Sequence, residues 1–452
     1  MPVTVFPTGT TIYEPEKCWN GFTVIQFMHY GAALVDMNGN LVKRWKQLQG
    51  LPSANKILPG GYIMGTTGQR NRKFGFQDNF NLVQLDWDGN EVWKFDRYEL
   101  VRDPHRKRTW MARQHHDYQR DGNPVGYYVP GMEPLVDRGN TIMVCHRNLK
   151  NRDISEKLLL DDSVIEVTRE GEIVWEWACN EHFHEFGFSE EARNTMARNP
   201  GMVEAGSGMG DWMHLNSISK LGPNRWHDGG DKRFHPENLI FSGRETNILA
   251  IISKETGNIV WQVGPYYTAT EALRNLKQII GPHHVHLIPE GLPGAGNILV
   301  YDNGGMAGYG APNPGSVDGR RNALRDNSRV IEFDPVTLEI VWQYPPPPTP
   351  GGPMWGGRLY SSFMSSAQRL VNGNTLITEG GSGRLIEVNV EGDIVWEYVS
   401  PYTDGNGNLC VCYRAYRLPY EWAPQAERPA EVPVPRPDNS RFRVARKRRQ
   451  LK

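Results

Sequence analysis

Three histidines stand at the same place in a recurring sequence pattern, although they lie far apart along the chain. His116 opens the segment HDYQRDGN, His214 opens HLNSISKLGPN and His283 opens HHVHLIPEG, whereas Ser53 and Ser366 open two comparable segments. A neutral imidazole is a nucleophile and a proton carrier near neutral pH, and it is also a ligand for transition metals. Three such groups at one repeat position predict a single site to which separate parts of the chain each contribute a histidine.

Further polar side chains flank these segments and extend the candidate site. Arg244 follows the strand-like segment ENLIFSG, and its planar guanidinium matches the geometry of a sulfate, phosphate or carboxylate group. We predict that Arg244 acts together with His283, His116 and His214 as the catalytic set. The candidate substrate-binding residues are Asn216, His115, His146, Arg147, His284 and Asn303.

The same histidines are compatible with a second chemistry. Three imidazoles around an open coordination position can hold a catalytic divalent metal ion. The alternative metal ligands are His116, His214, His283, His284 and His286. We find no HExxH segment, phosphate-binding glycine loop or CxxC pair in the sequence. The main expectation is therefore a site without a cofactor, with a divalent metal ion as the alternative.

A stronger repeat identifies the elements that must position these residues. Six copies of an apolar strand, a tight turn and a strand ending in Trp end at Trp45, Trp93, Trp175, Trp261, Trp342 and Trp396. Each copy alternates apolar and polar residues, the pattern of a half-buried strand, and turns such as Asn38-Gly39 suit antiparallel hairpins. A lone hairpin is marginal in water, so six must pack on one another, and radial packing protects their edges. The predicted fold class is all-β, a six-bladed β-propeller with this hairpin as the outer two strands of each blade.

This architecture places the histidine segments on the innermost strands, where their first residues would form a ring around the axis. The Trp residues are about 50 positions apart near the chain ends and about 80 apart in the middle, so the central blades must carry long loop insertions. Short helices are predicted in these insertions, at TATEALRNLKQII (268–280) and FSEEARNTMARN. We predict one propeller domain over residues 1–422 and an extended or disordered Pro-rich and basic tail over 423–452.

Composition excludes several classes of protein. The chain has 452 residues and a formal net charge of −1, which gives no electrostatic footprint for nucleic acid. No window is apolar enough to span a membrane, and no signal peptide precedes the first repeat, so we expect a cytoplasmic protein, or a periplasmic one if a leader was trimmed. The five cysteines, with Cys410 and Cys412 only two positions apart, do not form a disulfide framework. The basic end of the tail could contact a neighbouring subunit in a homo-oligomer.

Several segments together resemble the bacterial arylsulfotransferase family, which does not use the phosphonucleotide sulfate donor. They are TGTTIYEPEKCWNGFTV, HHDYQRDGN, DWMHLNSIS, FSGRETN, GNIVWQVG, GPHH with the downstream DNGG, and SAQRLVNGNTLIT, in that order. The resemblance covers nearly the whole predicted propeller. The chain departs from the usual family pattern at Pro282 and His284, on either side of His283, and at Glu245 after Arg244.

The resemblance implies ping-pong sulfuryl transfer from an aryl sulfate to a phenol, with a small aromatic substrate as the partner. By position, His283 would be the nucleophile, and His116 and His214 would bind the sulfuryl oxygens or move protons. Asn216 and Arg244 would stabilise charge. Imidazole is a suitable nucleophile, and preorganised donors can hold the charge of the transferred group.

Two other functions remain open at this point. The histidine cluster could serve a lyase, hydratase or hydrolase of the same fold, as acid and base or as metal ligands. The propeller could instead be a non-catalytic binding platform, although a ring of three histidines with an arginine is polar for that role.

Overall fold

The computed structural model describes residues 8–27, 30–50, 53–70, 78–103, 107–201, 210–347, 359–403 and 411–436. Six antiparallel sheets hold most of its strands, and each sheet is one blade of a propeller. The six-bladed, all-β prediction is thereby confirmed. In blades 1 to 5 the outer two strands are the Trp-ended hairpin recognised in the sequence, and in blade 6 a further strand pairs with the outer edge of that hairpin.

The strands are numbered along the chain, and each blade runs from an inner strand at the axis to an outer strand at the rim. Blade 1 contains, in that order, β29 (Cys412–Leu418), β2 (Phe22–Phe27), β3 (Gly31–Val35) and β4 (Leu41–Trp45). Blade 2 contains β5 (Lys56–Leu58), β6 (Tyr62–Gly65), β7 (Leu82–Leu85) and β8 (Glu91–Phe95). Blade 3 contains β11 (Gln114–Arg120), β12 (Thr141–Asn151), β13 (Ser155–Val167) and β14 (Ile173–Ala178).

The second half of the ring follows the same order. Blade 4 contains β15 (Leu215–Lys220), β16 (Leu239–Gly243), β17 (Ile248–Ile252) and β18 (Ile259–Val263). Blade 5 contains β19 (His283–Leu287), β20 (Ile298–Asp302), β23 (Arg329–Phe333) and β24 (Ile340–Tyr344). Blade 6 contains β25 (Ser366–Arg369), β26 (Thr375–Glu379), β27 (Arg384–Val388), β28 (Ile394–Val399) and, at its outer edge, β1 (Gly9–Tyr13).

Both chain ends close the ring. β29 supplies the inner strand of blade 1, although the rest of that blade comes from the start of the chain. β1 pairs with β28 and so adds a fifth strand to blade 6. The inner strand of blade 1 therefore follows its outer hairpin in the chain, whereas in the other five blades the inner strand precedes it. Strand exchange of this kind ties the first and last blades together by backbone hydrogen bonds, which removes an unpaired edge.

The repeated Trp residues join each blade to the next. The indole N–H of Trp93, Trp175, Trp261, Trp342 and Trp396 donates to a backbone carbonyl in the outer hairpin turn of the following blade, at Arg169, Lys254, Pro335, Val390 and Met37 respectively. Trp45 differs, since its ring packs edge-on against Trp87 of blade 2 with centroids 5.6 Å apart. The repeat thus sets the position of one blade against its neighbour.

The insertions carry the remaining elements. A two-stranded ribbon of β9 (Glu99–Val101) and β10 (Thr109–Met111) precedes blade 3, and a second one of β21 (Ala307–Tyr309) and β22 (Arg320–Ala323) interrupts blade 5. The α-helices are α1 (Glu190–Arg198), α2 (Arg225–Asp228) and α3 (Glu271–Leu276). Short 3-10 turns span Pro15–Lys17, Cys179–His182, Lys232–Phe234, Gly380–Ser382 and Tyr420–Trp422.

Both predicted helices form, with shorter bounds for the second. α1 is capped by Ser189, whose side chain accepts a hydrogen bond from the N–H of Ala192. α3 is capped by Thr270, whose side chain accepts a hydrogen bond from the N–H of Leu273, and it ends where Lys277 adopts a positive φ of 63°. α2, which extends over a single turn, was not predicted.

Residues 423–436 pass over the propeller with a turn at 424–425 and an isolated bridge at Val434. Val434 exchanges two backbone hydrogen bonds with Tyr13, and Arg436 pairs with Glu14. The basic run 441–452 and Cys410 lie outside the described residues. Cys18, Cys145, Cys179 and Cys412 are free thiols, and no helix in the described part of the chain is long and apolar enough to cross a membrane.

Candidate active site at the propeller axis

The inner strands of blades 3 to 5 leave regular geometry where the candidate histidines lie. Their ladders contain β-bulges at these points, and His116, His214 and His284 have positive φ angles of 59°, 56° and 53°. The strand pairing connects the Trp of each blade, across the two middle strands, to one residue of the inner strand. His116 and His283 each lie three residues before that inner-strand residue, whereas His214 lies five residues before it. The predicted equivalence of all three is therefore wrong for His214, because each bulge adds residues that the sequence pattern does not reveal.

His116 and His214 nevertheless lie side by side. The imidazoles of His116 and His214 meet edge to face with centroids 4.6 Å apart. His214 Nδ1 lies 2.6 Å from the carboxylate of Asp211, which fixes the ring and leaves Nε2 for proton transfer. Burial holds the pKa of His116 well below its usual range, and the neighbouring His214 and His115 lower it further.

His283 is held in one tautomer by two acceptors. Its Nδ1 lies 2.7 Å from Asn303 Oδ1 and 3.0 Å from the carbonyl oxygen of Gly281, so Nδ1 carries the proton and Nε2 carries the lone pair. Nε2 accepts a 3.2 Å hydrogen bond from the backbone N–H of Met364. Burial, together with the charge of Arg244, keeps the pKa of His283 well below its usual range. The ring is therefore a neutral imidazole with a defined nucleophilic nitrogen.

Neighbouring groups support the segment that precedes His283. Asn216 Nδ2 donates to the carbonyl of Pro282 at 2.7 Å, and Asn216 Oδ1 accepts from Ser242 Oγ at 2.7 Å. Asn303 Nδ2 donates to the carbonyls of Ser361 and Met364 at 2.7 and 2.9 Å. Asn216 and Asn303 were predicted to bind substrate, and in the structure their amides hold His283 and the loop that precedes it.

Arg244 lies at the same site and is almost fully buried. Burial lowers its pKa to about 10, and the nearby Arg321 acts in the same direction. The guanidinium forms an ion pair with the adjacent Glu245. The charge of Arg244 thus acts on His283, and part of it is offset by Glu245, the carboxylate at which the chain departs from the family pattern.

A second group of three residues, His115, His146 and Asp162, lies next to His116. His115 and His146 stack with ring centroids 3.6 Å apart, and their Nε2 atoms lie 3.1 and 3.4 Å from Asp162 Oδ1. His115 Nδ1 also lies 2.6 Å from Nδ1 of His116. Burial lowers the pKa of His115 to about 4. Asp162 is buried, which by itself would raise its pKa, but its contacts with His115 and His146 outweigh burial and lower it.

The model of the arylsulfotransferase family matches residues 134–399, more than half of the chain. The chain belongs to the arylsulfotransferase family. Membership supports a sulfotransferase-like enzyme. No curated protein matches the chain.

Solved structures with similar folds share little sequence with this arylsulfotransferase family member. A protein of unknown function from Bacteroides caccae is 13% identical with a TM-score of 0.45, and the match covers 88% of this chain and 98% of that one. A streptogramin B lyase is 13% identical with a TM-score of 0.37, covering 89% and 85% of the two chains. The Cps50 (Swd1) β-propeller domain of Myceliophteria thermophila is 10% identical with a TM-score of 0.38, covering 89% and 90%.

The two remaining candidate histidines, His284 and His286, lie on β19 and form other contacts. His284 contacts the carbonyl of Ala367 at 2.9 Å and the hydroxyl of Tyr416 at 3.2 Å, and His286 contacts the hydroxyl of Tyr127 at 2.9 Å. Burial lowers the pKa of His286 to about 3. Within the described residues, the five histidines of the alternative metal site do not bring three ligand atoms together.

Arg147 is not part of the site. Its half-exposed side chain pairs with Glu176 at 2.7 Å, and its guanidinium lies over the ring of Tyr98. Arg147 was predicted to bind substrate, but the structure places it in a surface salt bridge. Such an exposed pair contributes little to stability.

Three groups in the arylsulfotransferase site were missed. Arg414 of β29 binds Asp117 at 2.8 Å and also contacts the carbonyl of Asn216. Arg414 lies at the axis because β29, near the end of the chain, is the inner strand of blade 1, and the Trp repeat does not predict this exchange. Asp162 had a signal, because two consecutive aspartates interrupt the apolar run LLLDDSVIEV. The N–H of Met364 had none, since any residue supplies it.

A cavity of about 460 Å³ opens beside the site rather than in it. It shares a wall with the site through Asn247, whose side chain accepts a hydrogen bond from the N–H of Gly281 at 2.8 Å. The candidate histidines do not line it, so its volume does not measure the space at the reacting groups.

Proposed function

We propose that this protein transfers a sulfuryl group from an aryl sulfate to a phenol through a covalent intermediate on His283. The observation that carries the proposal is the fixed tautomer of a buried, neutral imidazole, whose Nδ1–H is bound by Asn303 and Gly281. Family membership supplies the reaction class. A neutral imidazole with an oriented lone pair is a competent nucleophile near pH 7.

In the first half-reaction, the lone pair on His283 Nε2 forms a bond to sulfur as the bond from sulfur to the aryl oxygen breaks. The aryl oxygen keeps the electron pair and takes a proton from His214, whose other nitrogen is bound by Asp211. In the second half-reaction, a phenol returns its proton to His214, attacks sulfur and releases His283. Protons and electron pairs balance without a redox partner.

The remaining groups would stabilise the charge on the sulfuryl oxygens. Arg244 and His116 are proposed to donate to these oxygens, because the charge of Arg244 lowers the pKa of His283 and His283 in turn lowers the pKa of His116. The N–H of Met364 would give up its contact with Nε2 when the sulfur arrives and donate to an oxygen instead. Donors fixed before the reaction stabilise developing charge efficiently. We propose that the transfer itself needs no cofactor.

The test uses His283→Asn, since the asparagine amide can keep the contact with Asn303 but lacks an atom at the Nε2 position. Nitrophenol release from 4-nitrophenyl sulfate with phenol as acceptor should fall by about 10⁴-fold or more. Wild-type enzyme mixed with donor alone should gain one SO₃ group on the peptide that contains His283. His235→Ala, at an exposed histidine, is the control and should keep wild-type activity.

Two results would overturn the proposal. One is full activity of a folded His283→Asn variant. The other is phenol-dependent transfer by the wild type with no labelled His283 peptide at any time point. If wild-type protein releases no nitrophenol with any phenol, the substrate class is wrong.

A further inference from the structure

Three ligand-type atoms converge in the interior of blade 3, from three adjacent strands. They are Nε2 of His115 on β11, Nε2 of His146 on β12 and Oδ1 of Asp162 on β13. The two nitrogens lie 3.1 and 3.4 Å from the carboxylate oxygen, and all three side chains are 0% exposed. The trio is distinct from the five histidines that the sequence suggested as metal ligands.

These atoms are close together but do not satisfy one another. Four buried atoms of these residues have no hydrogen bond of acceptable geometry within the described part of the chain. They are the two Nε2 atoms, Asp162 Oδ1 and His146 Nδ1. Each such atom, buried without a partner, costs about 1–3 kcal/mol. Three such ligand-type atoms within 4.8 Å of one another indicate that another group binds there.

We propose that His115, His146 and Asp162 bind a divalent first-row transition-metal ion. Two ligands about 2.0–2.1 Å from a tetrahedral Zn²⁺ ion are separated by about 3.3 Å, which matches both distances to Asp162 Oδ1. Two imidazoles and one carboxylate form a ligand set that suits such ions and leaves a further coordination position.

The surroundings orient these ligands. Asp162 Oδ2 accepts a 2.9 Å hydrogen bond from the N–H of Leu215, which directs Oδ1 toward the two rings. A metal on Nε2 of His115 requires the proton of that ring to be on Nδ1, from which it donates to Nδ1 of His116. The remaining proton of His116 is then on Nε2. The metal would thereby fix the tautomer of a residue in the active site without touching substrate.

Metal content of the full-length protein tests this directly and does not depend on sulfuryl transfer. After chelation and dialysis against Zn²⁺, elemental analysis should give about one Zn²⁺ per chain, and Co²⁺ loading should give the visible absorption of a low-symmetry site. Zn²⁺ should also raise the melting temperature of the wild type, because an ion that binds only the folded chain stabilises it.

The matched variants are His146→Gln and His283→Asn. His146→Gln removes a ligand whose ring nitrogens have no hydrogen-bond partner among the described residues, so the variant should fold and should bind Zn²⁺ at least about 100-fold more weakly. His283→Asn should bind Zn²⁺ like the wild type, although it has lost transfer activity. The proposal is overturned if the wild type takes up no Zn²⁺ and shows no thermal shift, or if loss of binding follows His283 instead of His146.

Discussion

Asn303→Ala tests whether the tautomer of His283 sets the rate of sulfuryl transfer. The substitution removes the acceptor that lies 2.7 Å from Nδ1 and leaves the carbonyl of Gly281, 3.0 Å away, as the remaining acceptor. The ring can then turn, and the tautomer with the proton on Nε2 becomes more populated. That tautomer has no lone pair at the attacking position.

The expected size of the effect follows from the lost hydrogen bond. A buried hydrogen bond that orients a catalytic group contributes about 1–2 kcal/mol, which corresponds to a decrease of about 5- to 30-fold in kcat. The KM for 4-nitrophenyl sulfate should change little, because Asn303 holds the nucleophile rather than the substrate. Asn303→Ala also removes hydrogen bonds to the carbonyls of Ser361 and Met364, so its stability must be measured separately.

Ser328→Ala is the matched control for loosening of this loop. Ser328 Oγ donates to the carbonyl of Asn303 at 2.6 Å and accepts from the N–H of Ser361 at 2.9 Å, but it does not bind the His283 ring. Asn303→Asp provides a second comparison. It keeps an acceptor at Nδ1 and adds a negative charge, which should raise the pKa of His283 and move the acid limb of the pH–rate profile upward by about one unit.

Three outcomes would refute control of the rate by this tautomer. One is a loss of kcat in Ser328→Ala as large as that in Asn303→Ala, since loop packing would then explain both. The others are wild-type kcat in Asn303→Ala, and an acid limb of Asn303→Asp that coincides with that of Asn303→Ala.

Two further predictions concern the scaffold. Trp396→Phe removes a 2.7 Å hydrogen bond to the carbonyl of buried Met37, and it should lower the free energy of unfolding in urea by about 2 kcal/mol. Trp45→Phe should lower that free energy by less, because the Trp45 indole nitrogen has no hydrogen-bond partner within the described residues. Equal losses would contradict the role assigned to these hydrogen bonds. Burial lowers the pKa of His286 to about 3. Below pH 6.5 the unfolded chain therefore gains a proton that the folded chain does not, and the folded state becomes less stable as the pH decreases. Between pH 7 and 5 the wild type should therefore lose about 2 kcal/mol more than His286→Gln, and parallel pH profiles of the two proteins would disprove this.

The outer half of each blade could be predicted from sequence because its signal is local. A Trp, a tight turn and an alternating strand lie within a dozen or so residues, and Trp396 or Trp261 contacts the next blade whatever the length of the insertion between them. The inner strand of blade 1 could not be predicted in this way. β29 pairs with β2 across almost the whole chain, and no spacing rule connects segments that far apart.

The site was predicted in part for a related reason. His116, His214 and His283 were found because they begin similar segments, and the first two are in contact in the structure. Their polar neighbours come from other parts of the chain. Asn303, which was predicted to bind substrate but contacts His283, follows β20, and Asp162, which contacts the His115 ring behind His116, lies on β13. Such contacts depend on how the strands are registered, and a bulge changes the register without changing the residue types.

The irregular backbone of the inner strands therefore coincides with the candidate site residues. A non-glycine residue with a positive φ costs on the order of 1–3 kcal/mol, and His116, His214 and His284 all have one at the beginning of adjacent inner strands. A propeller needs none of these to close, because the Trp hydrogen bonds and the exchanged strands already fix the blades. At each of these positions the bulge breaks the strict alternation of sides, which allows consecutive residues such as His115 and His116 to reach different partners near one point. Since the regular ladder resumes within the same strand, the irregular backbone at these three positions lies beside the proposed nucleophile and includes its proposed proton carrier.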